Sequence, residues 1–376
     1  MSGSMGAMGA MGAMGAMGAM GASGVMGANG AMGIGNVDQG AWDWMLMDAL
    51  IKARGGITPS PLPEPEFGPV PDVLDVPAPL VQWASSVRAH VALFELISPL
   101  RFAVSGDRAS LGYLSFVSSS KDEVTFQETS IVTLVRPDRS DYSRIFKGQA
   151  KRVESWAELR EERATEILSQ LAPQFIYWNA VAHLNLSARP RTLELINLVL
   201  AFASSVEMRF KHALACPRPI DYSPAIQPII PVPGHGSLPS GHATEAFMVA
   251  HLLEILLPGG YEYRRYLQPL AFRTSINRTV AGVHFPIDSH AGRCLGQSLI
   301  EHFVYLASKG KQGGLKGWKA REFDGKKIAQ DQKVDIADLD FEPWMPPPEG
   351  TEIEPSKAHF SPVLSWFWDR AASEWS

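Results

Sequence analysis

Three short segments carry side chains suited to gripping a tetrahedral oxyanion. In order they are Lys211 with Arg218 and Pro219, then Pro239-Ser240-Gly241-His242, then Arg278 with Gly282, His284 and Asp288. Lys211 lies at the end of a predicted helix. Pro217 and Pro219 stop that helix, so Arg218 falls on the following turn. These two cations can converge on one anion, and Arg278 adds a second guanidinium fork. Forked donors match the oxygen spacing of phosphate-like groups. Ser240 and Gly241 immediately precede a strong helical pattern. Free backbone N–H groups at a helix start bind anions, and glycine permits close approach. The Ser240 hydroxyl fits the same task. Pro286 suits the first turn of the last long helix, which places His284 just before it. His242 and His284 then remain for chemistry. One imidazole can bond the central atom while the other moves protons, because imidazole titrates near neutral pH. Asp288, four residues after His284, can reach back to orient a ring.

Taken singly, each element is ordinary. Lys211 and Arg278 read as solvated surface cations, His284 as a core histidine, and Pro-Ser-Gly-His as a helix cap. The weight rests on all three occurring in order, at short separations, in the helical part of the chain.

The elements that must position them follow from periodicity. From about residue 154 a helical repeat dominates. It predicts helices over 154–171, 174–185, 192–213, 243–257, 261–281 and 288–308, and residues 83–104 also read as helical. Residues 111–136 differ: Tyr113, Phe116, Val124, Phe126, Val132 and Leu134 are β-prone and suggest a hairpin or an irregular insertion. The expected fold class is mainly α, a helical bundle with a disordered Gly-rich N-terminal tail. The expected segments are a low-complexity Met-Gly-Ala tail (1–40), a Pro-rich arm (41–80), a helical catalytic domain (81–310, motif core 190–305) and an extended C-terminal segment (311–376) that packs on the bundle or on a partner subunit. Glycine recurs at every third position from Gly3 to Gly33, but without proline a collagen triple helix lacks its main preorganising residue. Eleven of the 14 methionines lie at or before Met47, a distribution that slippage in a tolerated tail explains and that sacrificial oxidation would also suit.

The three motifs resemble the superfamily that unites type 2 phosphatidic acid phosphatases, class A acid phosphatases and vanadium-dependent haloperoxidases. The shared pattern is Lys-x6-Arg-Pro, Pro-Ser-Gly-His and Ser-Arg-x5-His-x3-Asp, and the one departure here is Asn277 before Arg278. The resemblance implies an acid phosphatase or haloperoxidase helical bundle. In phosphatase members the residue matching His284 is the nucleophile, that matching His242 protonates the leaving group, and that matching Asp288 orients the nucleophile. In haloperoxidase members the residue matching His284 binds vanadium, while Lys211, Arg218, Ser240, Gly241 and Arg278 would neutralise vanadate oxygens. Lys211 would polarise hydrogen peroxide, halide would be oxidised to hypohalous acid, and His242 would give acid–base help. An organic acceptor then takes the halogen.

The stretch from Pro233 to Leu238, with Ala243 and Thr244, resembles soluble bacterial haloperoxidases, and His235 falls where those enzymes tune halide use, in the manner of bromoperoxidases. Compact motif spacing and Ser237 resemble acid phosphatases instead. The expectation is a vanadium-dependent haloperoxidase acting on bromide or iodide. The alternative is a phosphomonoesterase working through a phosphohistidine at His284. A non-enzymatic assembly protein, suggested only by the tail, ranks below both. A homodimer is a family-based expectation.

Net charge is −5, with basic residues in no stripe or tail, so nucleic acid is not an expected partner. The two cysteines, Cys216 and Cys294, read as small buried side chains and do not report a compartment. No apolar run reaches membrane-spanning length and no secretory signal is seen, so the default expectation is a cytoplasmic protein without a membrane span, export by another route remaining open.

Overall fold

The computed structural model describes residues 44–57, 76–119, 124–137, 142–171, 174–310, 317–327, 349–353, 355 and 360–376. The Met-Gly-Ala tail lies outside the described residues, as does most of the Pro-rich stretch. Within the expected arm, however, Trp44–Ile57 forms a helix (α1). The remaining helices are α2 (Ser85–Ile97), α3 (Tyr142–Ser155), α4 (Arg160–Ser169), α5 (Phe175–Ala182), α6 (Pro190–Leu214), α7 (Gly241–Leu256), α8 (Gly260–Val280), α9 (Pro286–Ala307) and α10 (Pro362–Ala372). Proline stands at the start of α6, α9 and α10, where its missing N–H costs nothing.

The expectation of a mainly α helical bundle is corrected by a five-stranded mixed sheet beside the helices. Its strands are β1 (Leu100–Ser105), β2 (Arg108–Ser119), β3 (Val124–Val135), β4 (Trp318–Asp324) and β5 (Gly350–Ile353), in that spatial order. Residues 100–104, read as the end of a helix, are strand β1 instead. Pro99 ends α2 and the chain then pairs with β2, Leu100 opposite Tyr113. The expected hairpin is present as β2 and β3, antiparallel with two bulges. Strand β4 joins β3 in parallel, Val132 opposite Arg321.

The reason α9 can organise all this is its burial. Every residue from Pro286 to Ala307 is buried, so this helix has no solvent face. It packs on α7, α10, β3 and β4. Its crossing with α7 depends on close approach: a Cβ on Gly292 would meet the Ser240 carbonyl at 2.6 Å, and one on Gly296 the Thr244 carbonyl at 2.3 Å. The C-terminus closes the other side, where Glu374 accepts from the Arg191 and Thr192 N–H groups at 2.7 and 2.8 Å and caps α6.

The sheet is fastened to α9 by a buried ion pair. Arg321 donates to both oxygens of Glu301, at 3.0 and 2.5 Å. Burial pushes the Glu301 carboxyl up, but the Arg321 pairing overcomes it and leaves the group below its ordinary range. Removing one partner strands the other charge. Arg321→Ala should therefore cost about 3–5 kcal/mol in denaturant unfolding, and the double change Arg321→Met with Glu301→Leu should recover most of it. Recovery of nothing by the double change would show that the pair is not what fastens the sheet.

Candidate active site

Lys211 projects from the last turn of α6. That helix ends earlier than the prolines require: Ala215 takes a left-handed conformation (φ 49°) and donates its N–H to the Lys211 carbonyl. The chain then turns through Pro217 to Arg218, whose N–H is capped by Asp221 at 2.7 Å. Lys211 is fully buried and its ammonium donates to the Pro239 carbonyl, which joins the first motif to the second.

The second and third motifs meet through backbone. Ser240 N–H donates to the Asp288 carbonyl at 2.9 Å. Ser240 is also the N-cap of α7, accepting from Ala243 N–H at 3.4 Å, so the cap reading and the donor reading hold together: its hydroxyl proton is still available. Gly282 makes the turn between α8 and His284 with φ +86°, a conformation glycine adopts at no steric cost.

His284 is the point of convergence. Its Nδ1 lies 3.1 Å from Asp288 Oδ2, and that oxygen also accepts the Phe285 N–H at 2.9 Å. A carboxylate on Nδ1 fixes the proton there and leaves Nε2 as the accepting nitrogen. Nε2 sits 3.0 Å from Arg218 Nη1, which donates to it and, at 2.7 Å, to the Val283 carbonyl. Burial, then Arg218 and Lys211, hold His284 well below its ordinary pKa, so the ring is neutral. Burial pushes Asp288 up to about 7, against the pull of Phe285 N–H, Arg218 and Lys211. Ser237 approaches the second Asp288 oxygen at 3.5 Å.

His242 is held differently. Its Nε2 lies 3.0 Å from the Gln170 carbonyl, which can only accept, so Nε2 carries the proton and Nδ1 is the nitrogen left for exchange. Burial and Arg278 pull His242 down to about 3. Gln170 itself belongs to no motif, yet it ties two of them. Its side-chain oxygen accepts from Arg278 Nη2 at 2.8 Å and from Asn277 at 3.1 Å. Asn277, the departure from the family pattern, also donates to Glu166 at 2.9 Å and accepts from Arg163 at 3.2 Å. Arg278 is thereby anchored by one nitrogen, while its buried Nε and Nη1 find no acceptor among the described residues.

The electrostatics are those of a cation cluster. Burial pulls Lys211 down to about 8, and Arg218 and Arg278 down to about 10 each. Each value records the cost of keeping a charge out of water, a cost that a bound anion would offset. His235 stands at the edge, with Nδ1 3.1 Å from Arg218 Nη2. Burial, then Lys211, pulls it down to about 4, so it too is neutral. Arg218, Asp221 and His235 line an open depression of about 400 Å³. A larger cavity of about 570 Å³ beside α2, α5 and α6 contains none of the motif residues.

The structure thus gathers Lys211, Arg218, His235, Ser240, Gly241, His242, Arg278, His284 and Asp288 into one linked site. Sequence reasoning missed Gln170 and Glu207. Nothing in the sequence marks Gln170. Glu207 had a signal: an acid four residues before Lys211 in an apolar helix. Glu245 of α7 lies in the electrostatic reach of Glu207. Among the described residues no cluster of three His, Cys, Asp or Glu side chains could hold a metal ion. Also among the described residues, no helix is long and apolar enough to cross a membrane.

Residues 193–311 match the family model of the PAP2 superfamily. That span includes all three motifs. No curated protein matches the chain.

Proposed function

We propose, from the match of residues 193–311 to the PAP2 superfamily, whose members are generally enzymes, that this chain is a haloperoxidase-type enzyme that binds vanadate and oxidises bromide or iodide with hydrogen peroxide. The observation that carries the reading is the unspent donor capacity of Arg278: two fully buried N–H-bearing nitrogens with no acceptor among the described residues, beside a site already holding two more buried cations. That donor set fits a tetrahedral oxyanion. Lys211, Arg218, Ser240, Gly241 and Arg278 would hold vanadate oxygens, and His284 Nε2 would bond the vanadium. When bound, vanadate supplies a Lewis-acidic centre at which peroxide becomes electrophilic toward halide.

The protein's own part is positioning and proton handling. Asp288 keeps the His284 proton on Nδ1, so Nε2 stays a ligand. Gln170 keeps the His242 proton on Nε2, so Nδ1 can take a proton and return it. Lys211, which burial pulls down to about 8, would polarise an oxygen of the bound anion. His235, beside Arg218 on the wall of the open depression, would meet a halide there.

One observation favours the second reading, a phosphomonoesterase. The chain Ser237–Asp288–His284 presents Nε2 as a nucleophile equally well. A paired assay on purified protein separates the two. One half receives orthovanadate, peroxide and bromide with a phenolic acceptor; the other receives a chromogenic phosphate ester alone. Vanadate-dependent bromination with little ester hydrolysis is the expected result. Fast hydrolysis that vanadate inhibits, without bromination, makes the chain a phosphatase. His235→Ala should shift halide KM and spare any ester hydrolysis; unchanged halide kinetics would remove His235 from the site.

A further inference from the structure

Glu207 lies one helical turn before Lys211 on α6 and is fully buried, yet neither of its carboxyl oxygens meets a hydrogen-bond partner among the described residues. Those oxygens occupy the space of a Gly241 side chain: a Cβ built on Gly241 would meet them at 2.6 and 3.1 Å. The carboxyl group therefore sits at the start of α7, beside the N–H groups expected to receive an anion. Its charged neighbours are Lys211 on its own helix and Arg218 from the following loop, with Glu245 from α7; Asp288 of α9 acts on the same Lys211. A carboxylate here repels an incoming oxyanion. A carboxylic acid carries an O–H donor and does not.

We propose that Glu207 couples oxyanion binding to the uptake of one proton: the protonated carboxyl admits the anion beside Gly241, and the ionised carboxylate disfavours it. The proton comes from solvent on binding and returns to it on release, with no other bond made or broken. This rests on the oxyanion-pocket reading above. Burial, against Lys211 and Arg218, raises Glu207 to about 7. Burial first, and then Glu207, also raises Glu245 well above the ordinary carboxyl range. The folded pKa being raised, the protonated form prevails below about 7, and oxyanion affinity falls as pH rises through it.

Sulfate is the probe, since its charge is constant across this range. Calorimetry in two buffers of different ionisation heat gives both affinity and protons taken up. For the wild type, affinity should fall about tenfold between pH 6 and 8, with proton uptake appearing in the same interval. Glu207→Gln should bind sulfate at pH 6 within about threefold of wild type and lose most of the uptake between pH 6.5 and 7.5; Glu207→Met serves if Gln does not fold. Asp288→Asn, which removes the other carboxyl titrating near 7, should keep the uptake. Uptake that persists in Glu207→Gln and vanishes in Asp288→Asn overturns the inference, as does a wild type that binds sulfate without uptake. A wild type that binds no sulfate at any pH refutes the oxyanion pocket itself.

Discussion

Asp288→Asn should lower turnover about a thousandfold while leaving the fold and oxyanion affinity near wild type. The substitution is nearly isosteric. Asp288 Oδ2 accepts from both Phe285 N–H and His284 Nδ1, and an amide oxygen at that position can keep both bonds. What disappears is the negative charge that makes His284 Nε2 a strong donor atom and stabilises positive charge on the ring. The variant also mimics the protonated acid. Burial holds Asp288 at about 7, so in the wild type the ionised form is lost as pH falls through that value. Wild-type kcat/KM should therefore decline on the acid side of about pH 7, and the Asn variant should be low and lack that limb. A pH–rate series on both proteins checks this. A variant as active as wild type at neutral pH would mean that Asp288 only shapes the loop. His284→Ala is the harsher companion: it removes the reacting nitrogen and should abolish turnover under either enzymatic reading, and retained activity would move the chemistry elsewhere.

Arg278→Lys should be nearly as damaging as Arg278→Ala, each losing about a hundredfold to a thousandfold in kcat/KM. A conservative change of charge is usually mild on a surface, but Arg278 is not on one. It spends Nη2 on Gln170 and the Ile167 carbonyl, and among the described residues Nε and Nη1 stay unspent. A lysine ammonium offers one point, so it can anchor to Gln170 or reach the anion but cannot do both in this geometry. Gln170→Ala tests the same idea from the other side. It leaves the guanidinium in place and removes its tether, so kcat should fall more than sulfate affinity does. If Arg278→Lys retains most of the wild-type rate, the unspent nitrogens are not aimed at the reacting anion.

The site was legible in the sequence to the extent that its geometry is local. The prolines around Arg218, the capping Ser240, the turn before Pro286 and the four-residue step from His284 to Asp288 are short-range rules, readable without any tertiary contact. Gln170 and Glu207 reach the site by tertiary packing alone. Gln170 meets Arg278 across 108 residues, and no periodicity encodes that. The role of Asn277 was similarly hidden, because its partners Arg163, Glu166 and Gln170 come from another part of the chain. The fold class erred for the same physical reason. Strand β4 (Trp-Lys-Ala-Arg-Glu-Phe-Asp) shows little apolar alternation and is a strand only because β3 receives it in parallel from about 190 residues earlier in the chain. Trp318 anchors it, donating to the Ser130 carbonyl at 2.8 Å and packing on His302. Residues 100–104 continued an apolar pattern that reads as helix until Pro99 is given its weight.

The most direct test of the site is an experimental structure of the protein equilibrated with orthovanadate. The expected result is one vanadate bonded to Nε2 of His284, its oxygens within hydrogen-bonding distance of Lys211, Arg218, the Gly241 N–H and the two unspent nitrogens of Arg278. Vanadate bound elsewhere, or a pocket in which Arg218 keeps its hold on His284 at saturating vanadate, would contradict an oxyanion site built from these three motifs.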